Sequence, residues 1–141
     1  MAMSEYEAQA NEFLSKSGTK MTISRIGEVE GFPFDDKDSM WHDKYQVTLS
    51  RDGKQYRFQF YGSFYDWQHN KRPSRYDVLA CVEKYEVPDK LEDFAAEFGY
   101  DLESSKDYKR VNRIWEACKK QYEKLLWLFG DEFMEQLQQI C

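Results

Sequence analysis

KYQVTLSRDGKQYRFQFYG, residues 44–62, decides how this chain folds. Tyr45, Val47 and Leu49 alternate with polar neighbours, and Tyr56, Phe58 and Phe60 resume the alternation beyond Asp52-Gly53. A period of two marks a strand with one buried face, and Asp-Gly between two such runs marks a tight hairpin turn. The aromatics should face a core and Arg57 should face water. Just upstream, MTISRIGEV repeats the pattern through Met21, Ile23, Ile26 and Val29, with Gly27 hinting at a bulge. The reading is three antiparallel strands, near 20–30, 44–51 and 55–62. Such a sheet buries one face and must be covered by helices.

Helical signals stand on both sides of the strands. Ser4 can cap a helix over 4–16 that places Tyr6, Ala10, Phe13 and Leu14 on one face. Ser74 can cap a second, running to about Tyr85 with Val78, Leu79 and Val82 inward. Asp89 can cap a third, with Leu91, Phe94, Ala95 and Phe98 inward and Gly99 at its end. Ser104 or Ser105 opens the longest helix, to about Phe129, with Tyr108, Val111, Cys118, Tyr122 and Leu125 on its stripe. Gly130 stops it, and Asp131 opens a short last helix with Phe133, Met134, Leu137 and Ile140. The expected architecture is α+β: an N-terminal helix, a three-stranded antiparallel meander, then three to four C-terminal helices packed on one sheet face. Residues 1–141 read as a single domain. Residues 31–43 (GFPFDDKDSMWHD) read as a loop too acidic to pack, and residues 61–75 as a second loop.

Composition narrows the function classes. Charged residues make up 33% of the chain and the net charge is -6, so non-specific binding to phosphate backbones is disfavoured and a basic partner is favoured. Cys81, Cys118 and Cys141 have no close spacing, which suits reduced thiols. No apolar run approaches the roughly 18 residues of a membrane span, and the amino terminus lacks signal-peptide character. A cytoplasmic location, in a host cell, is the expectation.

Catalytic and metal motifs are sparse. His42 and His69, one in each polar loop, stand at no ligand spacing from a cysteine. They could form a site with Asp43 and Asp66 only if the loops converge, and they read better as solvated histidines. Cys81 falls mid-face on an apolar helix, where cysteine behaves as a small hydrophobe. There is no glycine-rich phosphate loop, GxSxG or HExxH. No enzyme activity, metal or cofactor is expected.

Three charged regions remain. Residues 28–43 and 89–107 are acidic, whereas the long helix carries Lys109, Arg110, Arg113, Lys119, Lys120 and Lys124 against Glu116 and Glu123. The basic set reads first as the solvated face opposite a core stripe. Carboxylates on a rigid scaffold can take the place of phosphates on a basic protein, although solubility and helix capping also explain acidic patches.

The segment Tyr76-Asp77-Val78-Leu79-Ala80-Cys81 with Lys84-Tyr85, followed by Leu91-Glu92-Asp93-Phe94 and Glu97-Phe98-Gly99-Tyr100-Asp101, adds context. With Ser105-Lys106, Tyr108-Lys109, Trp115, Leu128-Phe129 and Leu137, it resembles a family of small proteins of unassigned activity carried by phages, prophages and conjugative elements. Ala95 stands where that family usually has Cys, and Leu91 where it usually has Phe. The resemblance implies an accessory protein of a mobile element.

Acidity and this resemblance together give the leading expectation. The protein would bind and inhibit a basic, nucleic-acid-binding host defence protein by stoichiometric occlusion, as an anti-CRISPR or anti-restriction inhibitor does. Its contact residues would be Asp35, Asp36, Asp38, Asp77, Glu92, Asp93, Asp101 and Glu103. The alternative is a nucleic-acid-binding regulator using Arg57, Lys109, Arg110, Arg113 and Lys120. A third reading is a small-molecule binder with a pocket lined by Trp67, Trp115 or Trp127.

Overall fold

A computed structural model describes residues 4–32 and 38–141. Among these, the chain runs α1 (Glu5–Lys16), β1 (Lys20–Glu30), β2 (Trp41–Arg51), β3 (Lys54–Tyr61), α2 (Phe64–Gln68), α3 (Arg75–Glu83), α4 (Leu91–Phe98), α5 (Ser105–Phe129) and α6 (Asp131–Ile140). This is the expected α+β order, with β2 central in an antiparallel β1-β2-β3 sheet.

The hairpin forms as its alternation requires. Asp52 and Gly53 both have positive φ, 50° and 77°, as a turn matching strand twist demands. Leu49 pairs with Tyr56 and Val47 with Phe58, so both pairs present apolar groups to one face. Thr22, Thr48 and Arg57 align on the other face, as do Ser24, Gln46 and Gln59, which leaves that face polar. A register shift between Arg25 and Gly27 confirms the bulge.

Helices cover the apolar face. The main core joins Phe13 of α1, Val47 and Leu49 of β2, Tyr56 of β3, Leu79 of α3, Leu125 and Phe129 of α5, and Phe133 and Leu137 of α6. A second, smaller cluster holds Leu91, Phe94 and Ala95 of α4 against Val111 of α5. The long α5 therefore serves two cores, its C-terminal half in the larger and its N-terminal half in the smaller.

Capping follows the serines. Ser4, Ser63, Ser74 and Ser104 each accept a backbone N–H in the first turn of their helix. At Ser74 the Asp77 carboxylate bonds back to the Ser74 amide, completing a capping box.

Several expectations need correction. The N-cap position of α4 is Lys90, with no side-chain bond, because the helix starts one residue later than an Asp89 cap requires. Tyr6, Phe98 and Tyr108 were placed inward but are 60%, 55% and 47% exposed. Each lies near a helix end, where cover is incomplete: Tyr6 meets only the edge of α3, its ring 4.9 Å from that of Tyr76. Ile26 is displaced from the alternation by the bulge and is also exposed. Residues 64–68, read as loop, form α2. Strand β2 begins at Trp41, three residues earlier than expected, because Val29 and Glu30 extend β1 and pair with His42 and Trp41.

Candidate functional site

The earlier start of β2 carries two polar residues into the interior. His42 and Asp43, read as loop, are both buried. Asp43 is satisfied by Arg25, whose Nε stands 3.0 Å from its carboxylate. The guanidinium also donates to Glu28 at 2.7 Å, and the Trp67 indole N–H donates to the other Glu28 oxygen at 3.2 Å. Trp67 in turn stacks between Trp41 and Phe64. An ion pair with Arg25 thus makes the Asp43 carboxylate compatible with burial, while Glu28 at the outer end of these contacts stays exposed.

His42 has its own partners. Its Nδ1 lies 2.7 Å from the Gly62 carbonyl, and its Nε2 lies 2.5 Å from the Asp38 carboxylate. A carbonyl only accepts, so Nδ1 is the donor in the first contact. Asp38 further accepts from the Phe32 and Met40 amides at 3.0 and 2.9 Å. The Met40 amide first and the His42 ring second hold the Asp38 carboxyl below the ordinary Asp range. A depressed folded pKa stabilises the fold above the unfolded value, about 3.9, and this stabilisation is lost as pH falls through the folded value. Asp38→Asn should therefore lower the unfolding midpoint at pH 6 and leave it little changed near pH 2, measured by urea titration at both pH values.

An open cleft of about 360 Å³ adjoins this pair, with Phe32, Phe60 and Tyr61 as aromatic walls and His42, Asp66 and Asp77 as its polar groups. The two loops do converge to the extent that His42 and Asp66 share this cleft. His69 does not join them, since its ring bonds the Tyr65 carbonyl on α2. Among the described residues, no group of three or more His, Cys, Asp or Glu side chains is placed to hold a metal ion.

The eight carboxylates expected at a partner contact do not form one surface. Asp35 and Asp36 lie outside the described residues. Asp38 is engaged by His42 and two amides, and Asp77 by the Ser74 amide, so both hold local structure. Glu92, Asp93, Asp101 and Glu103 are exposed on α4 and the turn that follows it, joined by Asp89 and Glu97. Phe98 extends the α4 apolar stripe beyond the cover of α5, its ring 4.9 Å from that of Phe94. The outcome is a half-exposed aromatic among carboxylates on a helix about 12 Å long.

The basic candidates are better assembled. Lys109, Arg113 and Lys120 are exposed along α5, and Arg110 packs its guanidinium over the Tyr100 ring at 5.4 Å. Arg57 is exposed on the polar sheet face, as expected, beside Tyr56, whose hydroxyl donates to Gln121 of α5. Of the three tryptophans that are alternatives for a pocket wall, Trp127 borders an open cleft of about 300 Å³ with Arg51 and Lys54, and the other two stand apart from it. Trp67 is in the α2 stack, Trp115 donates to the Pro88 carbonyl at 2.8 Å, and Trp127 is 80% exposed. The half-buried thiols of Cys81 and Cys118 are pushed above their ordinary pKa chiefly by burial, the opposite of an activated nucleophile.

Fold and surface together define a small α+β protein with a run of exposed carboxylates on and beside α4 and a row of cations along α5. No family model, no curated protein and no solved structure matches the chain. Among the described residues, no helix is long and apolar enough to cross a membrane.

Proposed function

We propose that this protein acts by occupancy, binding a basic host defence protein through the α4 face and blocking it stoichiometrically, as an anti-CRISPR or anti-restriction inhibitor would. The observation that carries the reading is Phe98, 55% exposed on a helix whose flanks hold Asp89, Glu92, Asp93, Glu97, Asp101 and Glu103. Among the described residues none of these carboxylates enters an ion pair. An aromatic anchor ringed by unpaired charge has the chemistry of an interface hot spot facing a cationic groove. The similarity to mobile-element proteins supplies the biological setting.

Titrating the purified protein into host CRISPR effectors and restriction nucleases tests the proposal. Cleavage should fall to zero near a 1:1 ratio with one of them. Phe98→Ala should weaken that inhibition about 30-fold, a loss of about 2 kcal/mol typical of a hot spot. Glu92→Lys with Glu97→Lys should abolish it while circular dichroism stays unchanged. Full nuclease activity in every complex at tenfold excess of inhibitor would defeat the proposal.

A further inference from the structure

The cations of α5 fall on a line. At 3.6 residues per turn, positions 106, 110, 113, 117, 120, 124 and 127 share one face, opposite the buried Val111, Leu125 and Phe129. They are occupied by Lys106, Arg110, Arg113, Ala117, Lys120, Lys124 and Trp127, with Lys109 just beside the line. The row spans about 32 Å at 1.5 Å per residue and contains no carboxylate. Glu116 and Glu123 flank it on one side.

Three observations separate this row from an ordinary solvated face. Like charges three and four apart on a helix repel. The chain has 26 acidic residues against 20 basic ones, yet among the described residues Lys106, Lys109, Arg113 and Lys120 enter no ion pair. Second, the row ends on Trp127, the most exposed large apolar side chain described. A single exposed apolar residue is ordinary, but a bare indole in register with five cations is a more particular arrangement. Third, the β2–β3 turn adds to the same end. Arg51 and Lys54 line a cleft of about 300 Å³ with Trp127, with Asp52 as its one carboxylate. Arg51 also donates to the Phe129 carbonyl at 2.9 Å, which offsets the negative end of the helix dipole there.

We infer that this face binds a single-stranded nucleic acid, with phosphates along the Lys106–Lys124 row and an unpaired base stacked on Trp127. Cations that track a backbone, with an aromatic platform for a base, are the two parts such sites combine. The platform requires an unpaired base, and the row is one side chain wide with carboxylates at its edge, so a second strand is repelled. An acidic peptide would match the charge but leave the indole without a stacking partner. The row meets the α4 region only at its Arg110 end, where Arg110 packs over Tyr100, and Trp127 stands at the opposite end of α5.

Fluorescence anisotropy of labelled oligo(dT) and oligo(rU), each about 12 nucleotides, tests the inference, since single-strand sites fall within about 4–16 nucleotides. Binding at ~50 mM salt should weaken with a slope of about −3.5 in log K against log salt, for about five phosphates at ~0.7 each. Trp127→Ala should cost about tenfold in affinity. Combining Lys109→Glu, Arg113→Glu and Lys120→Glu should remove binding, with an unchanged thermal melt showing that the fold survives. The Glu92→Lys, Glu97→Lys protein should bind oligonucleotide at least as well as wild type, which separates this surface from the inhibitor face. The inference is overturned by absence of oligonucleotide binding at ~50 mM salt. It is equally overturned if the charge reversals leave affinity intact, if a duplex binds as tightly with Trp127→Ala silent, or if only polyglutamate or anionic vesicles are bound.

Discussion

Phe133→Ala is expected to cost about 3–5 kcal/mol of global stability, the range for truncating a fully buried phenylalanine. Phe133 is 1% exposed, with its ring 5.1 Å from Phe13 and 4.9 Å from Phe129. It joins α1, α5 and α6 at one point, so no single element can shift to fill the space. A domain of this size holds about 5–15 kcal/mol in all, so the loss is a large part of the total. Urea unfolding should show a much lower midpoint with the slope unchanged, and all probes should move together. An unfolding free energy within about 1 kcal/mol of wild type would mean that the three helices do not meet at this ring.

Phe94→Ala is expected to remove the same kind of group with a different outcome. Phe94 is 3% exposed but belongs to the smaller cluster, where only Leu91, Ala95 and Val111 are buried with it. The main packing partner of α4 is α5. The intrinsic loss, again about 3–5 kcal/mol, exceeds what so small a cluster can hold, so α4 should detach while the sheet and main core persist. Amides of residues 94–98 should lose their hydrogen-exchange protection, and those of β2 should keep theirs. Equal loss of protection in both would show that the two clusters unfold as one unit. Because α4 carries Phe98, the same variant should also lose the proposed inhibition.

The contrast between these phenylalanines marks a limit of pattern. Phe94 and Phe133 look alike in sequence, each on the apolar stripe of a short helix, and nothing local says that one lies in the main core and the other in an annex. The same limit explains Tyr6, Phe98 and Tyr108. Spacing puts a residue on a face, but exposure depends on how far the neighbouring element extends. It also explains the acidic candidates. Ser74 reads as a cap and Asp77 as an available carboxylate, and the commitment of Asp77 to the Ser74 amide became plain only with the helix start fixed.

His42 and Asp43 depart furthest from what their neighbours along the chain imply. An acidic, histidine-bearing segment reads as solvated because burial of charge is costly without partners. The partners are Arg25, Gly62 and Asp38, of which the first two lie 18 and 20 residues away in sequence. No local signal could have named Arg25 or Gly62. The basic row, by contrast, was visible from helical spacing. What spacing could not reveal was that Trp127 stays bare, since an indole near a helix end is more often packed.

By itself the sequence determined whatever depends on neighbours along the chain: the hairpin through its alternation and Asp52-Gly53, the helix starts through Ser4, Ser74 and the Ser104-Ser105 pair, and the stop at Gly99. These are set by backbone geometry and local hydrogen bonding, which act over a few residues. Only the tertiary structure decided which faces are covered, because that depends on contacts between segments distant in sequence. The burial of His42 and Asp43, the division between two apolar clusters, and the exposure of Phe98 and Trp127 all belong to that second kind.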